Sequence, residues 1–251
     1  MESPSAEALL DAWEQGLGRP PLQQALMLLA AAPSDTPADI LPQLSIGQRD
    51  SQLLALREQL FGPYLDSSAV CPACGQRIEW RNTVADFVER AGDVGNKVGA
   101  IYTLDCHGYQ LQFRLPDSRD IVLAVTDIQA SDDGDAAQRM LLSRCLVTAS
   151  NNGEPCAVTQ LPEAVLQTLA ETLEQLDPLA EIRIGLECTE CAHSWEILFD
   201  IASFLCAEVD DWAQHMLRSV SRLAAAYGWS ESEILGLSPL RRQLYLGMQE
   251  R

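Results

Sequence analysis

The reading of the fold turns on CPACGQRIEW, residues 71–80, and on its distant counterpart CTECAHSWEILF, residues 188–199. Each stretch sets two cysteines three apart and runs on into a β-prone segment, RIEW in one and SWEILF in the other. A tetrahedral zinc ion takes four soft ligands, and a C-x-x-C turn supplies two of them. Cys71, Cys74, Cys188 and Cys191 therefore form a candidate structural Zn2+ set. The gap between the pairs is far longer than the usual ribbon spacing. That is no physical objection, because loop closure costs only logarithmically in loop length. Two knuckle-and-strand units facing each other make a zinc ribbon with the intervening chain inserted between its halves. Gly75 supports this, since the chain turns with positive φ just after the second thiolate and glycine does so freely. The second pair has Ala192 at that position.

Other readings of the cysteines stand beside this one. CPAC alone is compatible with a thiol–disulfide redox motif, which should open a helix after a strand. A catalytic zinc keeps an open position and needs a general base, and neither H-E-x-x-H nor H-x-E with P-C-x-x-C is present. Two unrelated pairs of core cysteines are a further alternative. His193 can replace one thiolate, and Cys106–His107 offers another ligand pair. Cys106, Cys145, Cys156 and Cys206 are scattered and read as small buried hydrophobes.

Around the cysteines the chain is mostly helical. Residues 6–16 read as a short helix, residues 20–33 as a second with prolines at both ends, and residues 45–62 as a third ending at Gly62-Pro63. YQLQFRLPDSRDIVLAV (109–125) reads as two extended runs around a PDSRD turn. SDDGDAAQRMLLSRCL becomes helical after acidic capping residues. Asp132, Asp133 and Asp135 there serve either as caps or as a cation site. Leu166, Leu169, Leu173 and Leu176 mark an amphipathic helix, EIRIGLE alternates as a strand into Cys188, and residues 199–228 form a long helix. SESE (230–233) is a capping-box pattern, and Ser238-Pro239 opens a last short helix.

The fold class that follows is α+β, predominantly helical, with a small zinc-ribbon-like β unit whose knuckles are separated by a long insertion. Along the chain this gives a helical region over 1–66, a ribbon-like unit over 67–200 with an α/β insert at about 81–180, and a helical region over 201–251.

Composition narrows function. The 251 residues are 47% hydrophobic, enough to bury a core without metal or disulfides. Asp and Glu number 36 against 17 Lys and Arg, a net charge of −19, which repels phosphate backbones and anionic lipid. No nucleic-acid partner is expected. The first residues lack the basic and apolar regions of a signal peptide, and the longest apolar run, ALMLLAAA (25–32), is far too short to span a bilayer. A cytoplasmic protein with unpaired cysteines is expected. His107, His193 and His215 form no readable catalytic order, and there is no G-x-S-x-G or glycine-rich phosphate loop, so no enzyme is expected.

LFGPYLDSSAVCPACGQRIEW, the distant ECTECAHSWEI and the terminal YGWSESEILGLSPLRRQLYLGM together resemble proteins of phage-like contractile injection systems related to the T-even phage baseplate hub assembly chaperone. The resemblance rests on residues 58–80 and 186–251. It implies a non-enzymatic cytoplasmic factor, an assembly chaperone or adaptor, whose partners are baseplate, hub or other tail components. The alternative is a zinc-ribbon regulatory or protein-binding module unrelated to tails. Trp212, Met216, Val220, Leu223 and Tyr227 should face the protein's own core. The last helix, with Leu240, Leu244, Tyr245 and Met248 beside Arg241 and Arg242, reads either as a ligand for a partner's groove or as a return onto residues 208–228.

Overall fold

Most helices begin where a short polar side chain can satisfy an orphan backbone N–H. A computed structural model describes residues 3–91, 97–131 and 134–249. Its helices are α1 (Ala6–Gly16), α2 (Pro21–Ala31), α3 (Ile46–Phe61), α4 (Val84–Ala91), α5 (Ser118–Ser131), α6 (Gly134–Cys145), α7 (Glu163–Leu176), α8 (Ile201–Tyr227), α9 (Glu231–Leu235) and α10 (Pro239–Met248). Its strands are β1 (Tyr64–Val70), β2 (Arg77–Thr83), β3 (Ile101–Cys106), β4 (Tyr109–Arg114), β5 (Leu146–Asn151), β6 (Glu154–Pro155), β7 (Ile182–Glu187) and β8 (Ser194–Phe199). Ser5, Ser45, Asp200, Ser230 and Ser238 each accept a first-turn N–H. Ser45 and Ser230 do so as full capping boxes, the second as the SESE pattern requires. Gly228, in the left-handed conformation, closes α8. The fold is α+β with small sheets, as the sequence indicates. Of the SDDGD acids, Asp132 and Asp133 lie outside the described residues, and Asp135 falls in the first turn of α6.

The chain divides into two units, residues 38–199 and the two flanks, 1–37 with 200–251. Among the described residues, the elements of the flanking unit are all helices. Leu10 of α1 packs with Ala213 and Met216 of α8, and Trp13, Trp212 and Leu235 close around them. Trp13 Nε1 donates to Asp210 Oδ1 at 2.9 Å, which satisfies the indole inside this contact. Met216 and Leu223 face the core as their spacing indicates, whereas Tyr227 stays partly exposed. The last helix returns toward α8. Tyr245 meets Tyr227 and Trp229 edge-on at 5.5 and 4.9 Å. The buried Arg242 donates to the carbonyls of Leu235 and Leu237, which α9 leaves unpaired at its end.

Among the described residues, all the strands lie in 38–199. β1 pairs with β2 and β7 with β8 as separate antiparallel hairpins, while β3–β4–β5–β6 form a four-stranded antiparallel sheet. Leu111 and Phe113 of β4 pack with Leu142 of α6 and with Val165, Leu166 and Leu169 of α7. This core fills the insertion between the two hairpins.

The PDSRD segment differs from its reading. Tyr109–Arg114 is a strand, but IVLAV belongs to α5. Asp117 decides this: its Oδ1 accepts the N–H groups of Arg119 and Asp120 at 2.8 and 3.3 Å and starts the helix. Arg114, at the end of β4, then grips Asp120 with both terminal nitrogens at 2.6 and 2.9 Å. Although burial raises the Asp120 pKa, the Arg114 bonds outweigh it and hold the carboxyl below its usual range. A β-branched run is a weaker signal than an acid cap with an arginine to pair. The strand partners of β4 are instead β3 and β5, which periodicity alone did not single out.

The start of α3 is fixed by a carboxyl far away in sequence. Gly47 N donates to Asp177 Oδ2 at 3.0 Å, just past the end of α7. A Cβ at Gly47 would stand 2.1 Å from Asp177 Oδ1 and 3.2 Å from the nitrogen of Ala180. Only glycine permits this approach. Gly47→Ala should therefore lower stability by about 1–3 kcal/mol. A urea titration reads this directly, and an unchanged midpoint would show that the contact is not constraining.

Candidate metal centre

The two cysteine pairs occupy the tips of the two separate hairpins. β1 and β2 run in register to Val70–Arg77, and Cys71 to Gln76 make the connection. β7 and β8 run to Glu187–Ser194, and Cys188 to His193 make theirs. The tips repeat each other bond for bond. Cys71 N donates to Gln76 O at 2.8 Å and Gly75 N to Cys71 O at 2.9 Å. Cys188 N donates to His193 O at 2.9 Å and Ala192 N to Cys188 O at 2.9 Å. Both turns need a left-handed residue after the second cysteine, and Gly75 (φ 80°) and Ala192 (φ 56°) supply it.

The tips meet thiol to thiol. Cys71 Sγ lies 3.7 Å from Cys191 Sγ, and Cys74 Sγ lies 3.6 Å from Cys188 Sγ. All four sulfurs fall within 4.8 Å of one another. With Zn–S bonds of about 2.3 Å, a regular tetrahedron has S···S edges of about 3.8 Å. The cluster is thus sized for a tetrahedral ion, and the sulfurs are too far apart for disulfide bonds. Cys71 and Cys188 are 1% and 2% exposed, while Cys74 and Cys191 face outward.

The electrostatics fit the same use. Burial pushes the Cys71 thiol up, but the N–H groups of Cys74 and Ala73 and the neighbouring thiols pull it down to about 7. The Gln76 N–H favours the Cys74 thiolate, yet the crowding thiols of Cys191 and Cys188, with burial, push Cys74 up to about 12. Cys71 ionises readily while Cys74 and Cys191 resist, because a second negative charge at this distance is repelled. A divalent cation among them reverses that repulsion and draws off the remaining protons. The group could hold a metal ion, and soft thiolates favour thiophilic ions over hard cations such as magnesium or calcium.

The remaining sequence candidates are placed differently. The His193 ring stacks on Trp195 at 5.9 Å, while its backbone N–H serves the Cys191 sulfur. Its imidazole is not in the four-sulfur group. Cys106 and His107 sit at the β3–β4 turn, where His107 (φ 51°) and Gly108 (φ 81°) make the reversal. Burial pushes Cys145 up to about 12 and Cys206 to about 11, as expected of inert core thiols. Cys106, also raised by burial, and Cys156 pack against the insertion core. Two supports of the site escaped sequence reading. β1 precedes the first knuckle, and its YLDSSAV alternates too weakly to stand out. Phe87 of α4 stacks on Phe199 at the end of β8, centroids 5.1 Å apart and planes 8° from parallel. This stack ties the segment leaving the first hairpin to the end of the second.

The family model of the T4 bacteriophage base plate protein matches residues 23–206. The chain belongs to this family. The match takes in both cysteine pairs and runs through the insertion, which sequence resemblance alone had credited with little. It stops at residue 206, so the likeness read in YGWSESEILGLSPLRRQLYLGM lies beyond it. No curated protein and no solved structure gives a match. Among the described residues, no helix is long and apolar enough to cross a membrane.

The repeated turns make the two left-handed positions directly comparable. An alanine held at positive φ is strained by about 1–2 kcal/mol, whereas glycine is not. Ala192→Gly should raise stability by about 1 kcal/mol, and Gly75→Ala should lower it by a similar amount. Chemical denaturation of both variants checks this, and effects of the same sign would contradict the equivalence of the two tips.

Proposed function

We propose that this base plate family member is an assembly chaperone or adaptor for the hub or baseplate of a phage-like contractile injection system. Its cysteine cluster carries one structural Zn2+, and it acts in the cytoplasm without chemistry of its own. The family match over residues 23–206 carries the reading. It places the chain among base plate proteins, and the resemblance of the cysteine-bearing stretches points to a helper of assembly. Cys71, Cys74, Cys188 and Cys191 would be the ligands. A closed four-thiolate shell leaves no position for substrate, so such an ion serves to hold, and it would join the hairpin tips that the insertion separates.

Two measurements bear on this. Protein purified without chelator should contain one zinc per chain. Cys71→Ser and Cys188→Ser should each lose it and melt several degrees lower, because structural zinc contributes on the order of 10–16 kcal/mol in small zinc modules. Zinc retention should fall as the pH is lowered, since protons compete for the thiolates. Metal content near zero with an unchanged melting curve on chelation would remove the zinc.

The functional reading is tested in the cell. Deleting the gene should abolish or truncate the particles while sheath and tube proteins are still made. Normal functional particles from the deletion strain would refute it. A regulator built on a zinc ribbon would instead retain nucleic acid in a salt-sensitive way, which the net charge of −19 opposes.

A further inference from the structure

Two apolar surfaces are each left without a partner among the described residues, and they match. The first is on α10. Its inner face is used within its own unit by Tyr245 and Arg242. Its outer face repeats every four residues: Leu240, Leu244 and Met248 are 66%, 55% and 61% exposed. Four-residue spacing places them in one stripe about 12 Å long. Arg241 stands exposed beside it. The second surface is a groove of about 890 Å³ in the unit spanning residues 38–199. Ile121 and Val125 of α5, Leu141 and Leu142 of α6, Leu173 of α7 and Leu198 of β8 line it. Val125 and Leu198 remain 47% and 65% exposed. Its charged rim is acidic on balance. Glu181 and Glu196 both reach Arg183, and Glu174 is left exposed with no cationic partner among the described residues.

We infer that the groove of one copy receives the α10 stripe of a second copy, with Arg241 of the incoming helix facing Glu174. A short amphipathic helix laid in an apolar groove is a common recognition mode, and the charge signs here are complementary. On a chain of net charge −19, a basic apolar helix is the segment best suited to an acidic-rimmed groove. The contact is heterologous, stripe to groove, and two copies close it when each supplies both surfaces. It is independent of the proposed role in tail assembly.

Sedimentation of the purified full chain over a concentration series tests this. The wild type should self-associate. Leu244→Glu, which spoils the stripe, and Leu198→Glu, which spoils the groove, should each leave a monomer with an unchanged far-UV spectrum and melting curve. Mixing the two variants should restore a dimer, because one intact stripe then meets one intact groove. Arg241→Glu and Glu174→Arg should each weaken association about tenfold, and both changes in one chain should recover it. A wild type that stays monomeric at every concentration overturns the inference, whether α10 closes on its own groove or another protein fills it. So does an oligomer that survives both apolar substitutions, or a variant pair that does not complement. Should either glutamate variant misfold, the charge-swap pair alone decides, and its failure to recover association is equally fatal.

Discussion

Four thiols in close contact govern the middle of this protein. Cys74 and Cys188 are 114 positions apart in sequence, yet their sulfurs lie 3.6 Å from each other. Everything between them must leave one hairpin tip and return to the other. The entropy of closing so long a loop rises only slowly with its length, so the insertion can be large. What it cannot do is misplace its ends. The stacked rings of Phe87 and Phe199 and the bond from Gly47 to Asp177 keep the flanks in register without relying on sulfur. Packing and the meeting of the four thiols thus constrain the same set of strands from different sides.

The four-cysteine cluster was readable because the turn that carries each pair is local. A C-x-x-C turn needs a particular sequence, and each tip closes through bonds spanning five or six residues. The helices with side-chain caps were equally readable, since Ser45, Ser230 and Ser238 act within one turn. What escaped depends on distant partners. IVLAV looks extended until Asp117 caps it and Arg114 of the preceding strand pairs with Asp120. β1 alternates too weakly to announce a strand, and β5 becomes one by pairing along β4. The aromatic stack beside the cysteines joins positions 87 and 199, and no pattern in either neighbourhood predicts it.

The grouping of the chain ends is of the same kind. α1 and α2 carry ordinary amphipathic sequences, and nothing in them names α8 as the surface they cover. The indole of Trp13 finds Asp210 across 197 positions. α10 illustrates a milder ambiguity. Its apolar residues read as one cluster, but the helix splits them, turning Tyr245 inward and leaving Leu240, Leu244 and Met248 outward. A single short helix can satisfy a fold-back and still present an unsatisfied face.

The nesting of one unit inside the other also sets an order of events during synthesis. Residues 38–199 contain both cysteine pairs and the whole insertion core, so this unit has all its parts once Phe199 has left the ribosome. The helical unit does not. Leu9, Leu10, Leu28 and Leu29, buried in the finished protein, emerge before that unit and must wait until α8 has been made. For that interval the nascent chain carries an ordered middle and, ahead of it, two uncovered apolar helices. Helices made before the middle unit are therefore among the last to find their place, and the growing chain needs protection there rather than at its clustered cysteines.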